Sequence, residues 1–140
     1  MARPKQFDRD QALEQAVQVF WDQGYDATSM SDLREAMGIG RQSLYDTFGD
    51  KQRLFGEVLD RYKQWNELLL TEAFPPGAGL DAIASHLTNV ARIMTSGTQR
   101  RGCLLMHTCS QVAPHDPAVA QSAQAGLQAM KDAFGRALRQ

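Results

Sequence analysis

Between Gly40 and Gly49 the chain reads Arg41-Gln42-Ser43-Leu44-Tyr45-Asp46-Thr47-Phe48. If this stretch is helical, positions four apart share a face. Leu44 and Phe48 then form one apolar edge, while Arg41 with Tyr45, and Gln42 with Asp46, form two adjacent polar edges. At about 100° per residue those four polar groups fill an arc of roughly 140°. Arginine and glutamine are the side chains that bond guanine and adenine edges bidentately, and a carboxylate accepts from cytosine N4. Asp46 either makes that contact or orients a neighbouring donor. The same face could dock another protein, so a helical interaction module without DNA binding stands as the alternative from a different class.

The flanking sequence supplies helices to hold this face. Asp8 with Gln11 three residues on is a capping-box arrangement, and Leu13, Ala16, Val17, Phe20 and Trp21 follow as one apolar stripe ending at Gly24. A second helix begins near Ser29 with Asp32 as reciprocal cap. It carries Met30, Leu33 and Met37 inward, and Gly38 ends it. The turn to the Arg41–Phe48 helix is only two or three residues long, the pattern of a helix-turn-helix. Asp50 caps a longer fourth helix with Leu54, Phe55, Val58, Leu59, Tyr62, Trp65 and Leu69 inward. The Pro/Gly-rich stretch at 74–79 breaks it. Two or three further helices, roughly 80–96, 103–113 and 117–139, complete an all-α reading with no strand alternation and no internal repeat.

Composition restricts the alternatives. The 140 residues suit one domain, or a small one joined to part of another. Nothing approaches an 18-residue apolar run, and no apolar stretch follows Arg3 and Lys5, so neither a membrane span nor a signal peptide is expected and the protein reads as cytoplasmic. Residues 1–53 hold seven Lys or Arg against nine Asp or Glu. A case for nucleic acid therefore rests on where charges sit, not on their number. No nucleophile elbow, phosphate-cradling glycine loop or His-Glu-x-x-His motif is present, and the reading is of a protein that is not an enzyme.

Two cysteines, Cys103 and Cys109, exclude a disulfide framework. Cys103 and His107 lie four apart with Cys109 following, which permits a thiolate–imidazole pair. With no partner motif elsewhere, no metal and no cofactor is expected. Cys103 reads as a small buried hydrophobe, with a thiol-based redox or electrophile sensor as the alternative. Trp65, Leu69, Met94, Cys103, Met106 and His107 are candidates for lining a small-molecule pocket, and core packing accounts equally well for the apolar ones.

With these residues in hand, the stretch from Phe20 to Phe55 resembles the N-terminal signature of TetR-family transcriptional repressors. The matching elements are Phe20, Gly24-Tyr25, Thr28-Ser29, Leu33, Gly38-Ile39, Ser43-Leu44-Tyr45, Phe48, and Lys51 with Leu54. The resemblance covers roughly residues 8–55. It implies a helix-turn-helix DNA-binding domain over 1–53 and a helical ligand-binding and dimerisation domain over 54–140. It also implies a homodimer on a palindromic operator, released when a small-molecule effector moves the fourth helix. The family match places Arg41 and Gln42 at base-reading positions. It places Thr28, Ser29, Ser43, Tyr45 and Lys51 near the DNA backbone, with Asp46 and Thr47 where many relatives carry an aromatic or His pair. Gly40 stands in for the usual Ser cap, which should loosen the start of that helix. Relatives continue for two further helices. Met130, Ala133, Phe134, Ala137 and Leu138 still mark an apolar stripe at the end of this chain, so the expectation is a truncated form lacking most of the dimer interface.

Overall fold

A computed structural model describes residues 7–96 and 101–139; Arg3 and Lys5 lie outside that range. Every described element is helical: α1 Arg9–Gln23, α2 Met30–Met37, α3 Arg41–Phe48, α4 Lys51–Ala73, α5 Gly79–Thr95, α6 Leu104–Gln111, a 3₁₀ turn Ala113–His115, and α7 Pro117–Leu138. The chain forms two compact units, residues 1–61 and 62–140. The division falls within α4, after Arg61, and not after residue 53 in its first turn. Leu54, Phe55 and Val58 from the first turns of α4 are buried in the core of the first unit and cannot be assigned away from it.

In the first unit the helix ends are capped as their sequences dictate. The Asp8 carboxylate accepts the N–H groups of Asp10 and Gln11 at 2.9 and 3.2 Å. Ser29 and Asp32 cap α2 reciprocally, each side chain accepting the other's backbone N–H at 3.0 Å. Those bonds, the Ser29 N–H foremost, hold the Asp32 carboxyl below its ordinary range. Asp50 accepts the Arg53 N–H at the start of α4 at 2.8 Å. The core is Leu13, Ala16, Val17 and Phe20 of α1 against Leu33, Met37, Leu44, Phe48 and the start of α4. Phe20, Tyr25 and Phe55 meet ring to ring at its centre, with Phe55 edge-on to Phe20 at 5.0 Å and to Tyr25 at 4.9 Å. Surface ion pairs tie α1 to α4: Arg9 to Glu57 at 2.6 Å, and Arg61 to Asp10 and Glu14 at 2.9 and 3.1 Å. Exposed pairs of this kind contribute about 1 kcal/mol or less each, so apolar burial, not charge, decides the packing.

In the second unit α7 approaches α6 and the Lys63 stem closely. A Cβ on Gly126 would lie 2.9 Å from Lys63 Cδ and 3.0 Å from Leu105 Cδ1, so no larger residue fits without a shift. Lys63 donates to the Ser122 hydroxyl at 2.8 Å. The inward stripe of α4 continues from Tyr62 through half-buried Asn66 and Leu69 to buried Leu70. Trp65 departs from the sequence expectation. It sits at the edge of that stripe, 39% exposed, because the polar Asn66 occupies the inward position beside it. Leu138 likewise is exposed, while Ala133 and Ala137 carry the buried edge of α7. No residue of α5 is fully buried.

His86 of α5 meets Phe74 and Phe134 edge-on, its ring 5.2 and 5.8 Å from theirs, and those two rings lie 5.0 Å from each other. Partial burial lowers its pKa from the ordinary 6.5. The unfolded chain then takes up a proton more readily than the folded one, so stability present above pH 6.5 is lost as pH falls through the lowered folded value. Melting temperature should therefore decline through that window, and His86→Phe should flatten the decline. An unchanged decline in the variant would exclude His86 as its source.

Candidate nucleic-acid interface

α3 is an eight-residue helix, too short to persist in water alone. Leu44 and Phe48, 0% and 2% exposed, fix it to the core of the first unit. Gly38 makes the turn before it possible, closing α2 in the left-handed region at φ 67°, where a side chain would be strained. Buried Ile39 follows and pins the turn. Gly40 precedes α3 without a side-chain cap, as its lack of a hydroxyl requires.

This anchoring leaves Arg41, Gln42, Tyr45 and Asp46 exposed on one face. The Arg41 guanidinium lies 5.8 Å from the centre of the Tyr45 ring. Gln42 Nε2 donates to Asp46 Oδ1 at 2.8 Å. At the start of α4, Lys51 Nζ stands 4.2 Å over the ring of Tyr25, a cation–π contact that restricts where the ammonium points. Tyr25 is a contributor that sequence reasoning did not single out. Its place in the Gly24-Tyr25 pair was visible, but its contact with Lys51 joins residues far apart in the chain. Ser29 is exposed, its hydroxyl oxygen accepting the Asp32 N–H, and Ser43 is half-buried.

Two residues expected at the DNA interface, Thr28 near the backbone and Thr47 on the reading helix, point elsewhere. Thr28 is buried, and its hydroxyl donates to the Gly24 carbonyl at 2.6 Å, so it fixes the turn between α1 and α2. Thr47 lies on the side of α3 away from the Gln42–Asp46 edge. Its hydroxyl oxygen is buried and finds no hydrogen-bond partner among the described residues. Both hydroxyls are too enclosed to reach a phosphate from this conformation.

The residues proposed from sequence for an effector pocket do not converge as a set. Met106 is 58% exposed and His107 is exposed, because the buried edge of α6 runs through Leu104, Leu105 and Thr108 and turns the two intervening residues outward. Leu69, Met94 and Cys103 are half-buried. Tyr62 connects two of the six. Its hydroxyl donates to the Cys103 sulfur at 3.6 Å and accepts the Leu104 N–H at 3.3 Å, and its ring lies 5.8 Å from Trp65. Asn66 also bonds Tyr62; burial, followed by the Cys103 sulfur, pushes the phenol well above its usual range. Asn66 escaped the sequence reading, although a polar residue four after Tyr62 in an apolar stripe was its signal. Among the described residues no group of three or more His, Cys, Asp or Glu could hold a metal ion. No described helix is long and apolar enough to cross a membrane.

Two short helices joined by a glycine turn, the second anchored by two side chains and polar outward, define a helix-turn-helix protein. Residues 12–58 match the family described as "Bacterial regulatory proteins, tetR family". The chain is 36% identical over 126 residues to the HTH-type transcriptional repressor ComR of Escherichia coli K12, covering 86% of this chain and 58% of ComR. It is 32% identical over 135 residues to the HTH-type transcriptional regulator YezE of Bacillus subtilis 168, covering 96% of this chain and 70% of YezE. A solved structure of a cysteine mutant of the TetR family transcriptional regulator CifR, complexed with 26-bp double-strand operator DNA, superposes with a TM-score of 0.80 at 30% identity. That match covers 97% of this chain and 73% of CifR. The chain belongs to the TetR family.

The buried Thr47 hydroxyl, without a hydrogen-bond partner among the described residues, yields a test. Thr47→Val removes a desolvated polar group at nearly constant shape and should raise unfolding stability by about 1 kcal/mol. Binding to duplex DNA should be unchanged. A loss of DNA affinity in this variant would show that the hydroxyl reaches the DNA backbone after all.

Proposed function

We propose that the chain is a DNA-binding transcriptional regulator, a repressor in type, that inserts the exposed face of α3 into the major groove of an operator. The observation carrying this reading is that Leu44 and Phe48 commit one side of α3 to the core and leave Arg41, Gln42, Tyr45 and Asp46 outward together. Arg41 and Gln42 supply bidentate base-edge chemistry. Lys51, steadied over Tyr25 at the start of α4, supplies a phosphate contact where the helix N-terminus already favours anions. Net negative charge on the first 53 residues is no obstacle, since a few placed cations suffice for the backbone term. The relative ComR is named a repressor, and CifR is seen on operator DNA, both consistent with this role.

The homodimer, the palindromic operator and the release by a small-molecule effector belong to the same proposal. A two-fold operator needs two reading helices at fixed separation, which one α3 does not provide. The second unit supplies the effector-binding and dimerisation surfaces, with Trp65 at the ring of Tyr62 and Cys103 at its hydroxyl as the best-connected part of a ligand site. The alternative of an interaction module without DNA binding explains a polar helix face but not the pairing of Arg41 and Gln42 with a cation at the next helix start.

Phosphate and base contacts separate by mutation. Lys51→Ala should weaken binding to every duplex alike and flatten the dependence of log affinity on log salt by about one unit. Arg41→Ala should cost roughly 1–3 kcal/mol on a duplex selected by the wild type and much less on random DNA. Equal losses on both DNAs would show that Arg41 does not read bases, and absence of any salt-dependent duplex binding would overturn the proposal.

A further inference from the structure

The Gln42–Asp46 bond on the exposed face of α3 determines more than local helix stability. An ionised carboxylate accepts hydrogen bonds and cannot donate them, so the amide nitrogen of Gln42, not its oxygen, must face Asp46, as the 2.8 Å Nε2–Oδ1 contact shows. That bond commits one of the two amide hydrogens. What remains for a partner is one N–H and the carbonyl oxygen, and when Asp46 takes the hydrogen trans to that oxygen the two lie side by side in one plane. Adenine presents the complement in the major groove, an N7 acceptor beside an N6 amino donor. Guanine presents two acceptors, N7 and O6. An unconstrained glutamine could turn both amide hydrogens toward that edge; one held by Asp46 has one hydrogen left for it. The carboxylate therefore acts against guanine as well as for adenine.

Resting on the DNA-reading role proposed above, we infer that Asp46 is a specificity-determining positioning residue that sets the Gln42 amide to favour adenine over guanine at the base pair it meets. Asp46 carries a charge that repels phosphate, and its place on a DNA-facing helix is accounted for by this orienting task. Once DNA covers the face and excludes water, a hydrogen bond to an ionised acceptor is about twice as strong as a neutral one, so the constraint tightens in the complex.

The test begins with duplexes enriched by the wild-type chain from a randomised pool. Each adenine of the enriched site is replaced in turn by guanine and each cytosine by thymine, and the ratios of affinities are measured for the wild type and for Gln42→Ala, Asp46→Ala and Asp46→Asn. At one position Gln42→Ala and Asp46→Ala should each reduce the adenine-to-guanine ratio by about three- to ten-fold. Asp46→Asn should keep only part of the ratio, because its amide can donate to the Gln42 oxygen as well as accept from its nitrogen, while all duplexes bind more tightly through loss of the negative charge. In a Gln42→Ala background, Asp46→Ala should change no ratio. Retention of the full ratio in Asp46→Ala would overturn the inference. Loss of a cytosine preference in Asp46→Asn would overturn it too, showing that Asp46 reads cytosine N4 directly. Failure of the wild type to enrich any sequence would instead overturn the DNA-reading proposal, and this inference with it.

Discussion

An eight-residue helix has no stability of its own in water, so the position of α3 is decided by the burial of Leu44 and Phe48. Full burial of two such side chains is worth roughly 3–6 kcal/mol, several times more than any surface contact on the helix. The rest of the first unit follows from the need to provide that pocket. α1 and α2 present Phe20, Leu33 and Met37 to it, the first turns of α4 close it with Leu54, Phe55 and Val58, and the left-handed Gly38 brings α3 back against it. Because only two anchors are used, the opposite face carries no packing duty. Its residue types are free to be set by what they touch outside the protein.

The same economy explains the polar contacts on that face. Gln42 with Asp46, Arg41 with Tyr45 and Lys51 over Tyr25 each hold a flexible donor in a restricted arc before any partner arrives. Ordering such side chains in advance lowers the entropy lost when they bind. The second unit is built differently. Its best-defined polar cluster is turned inward, with Tyr62 bonded to the Cys103 sulfur, the Leu104 N–H and Asn66. Several of its large apolar side chains, including Leu80, Leu87 and Leu68, stay in contact with solvent.

Most of the first unit was legible in the sequence because its signals are local. Capping residues, glycine stops and apolar stripes each specify a helix end or a helix face within a few residues, and α1, α2 and α3 begin and end where Asp8, Ser29, Gly38 and Gly49 require. What was not legible depended on which side of a residue faces another element. Thr28 and Thr47 have hydroxyls suited to phosphate, but the turn takes one inward and the register of α3 takes the other. Trp65 looked like a core residue, yet Asn66 occupies the inward position. Met106 and His107 were plausible lining until α6 proved to bury the residues around them. Periodicity likewise marks α4 as one helix but does not say which core each turn enters.

The outward face of α3 is proposed to enter the major groove. Methylation interference with dimethyl sulfate tests it directly, because the reagent marks guanine N7 in the major groove and adenine N3 in the minor groove of the same duplex. Methylation at guanine N7 within an enriched site should exclude those molecules from the bound fraction, while adenine N3 methylation there should not. Interference at adenine N3 alone, or bound and free fractions with identical methylation patterns, would contradict it.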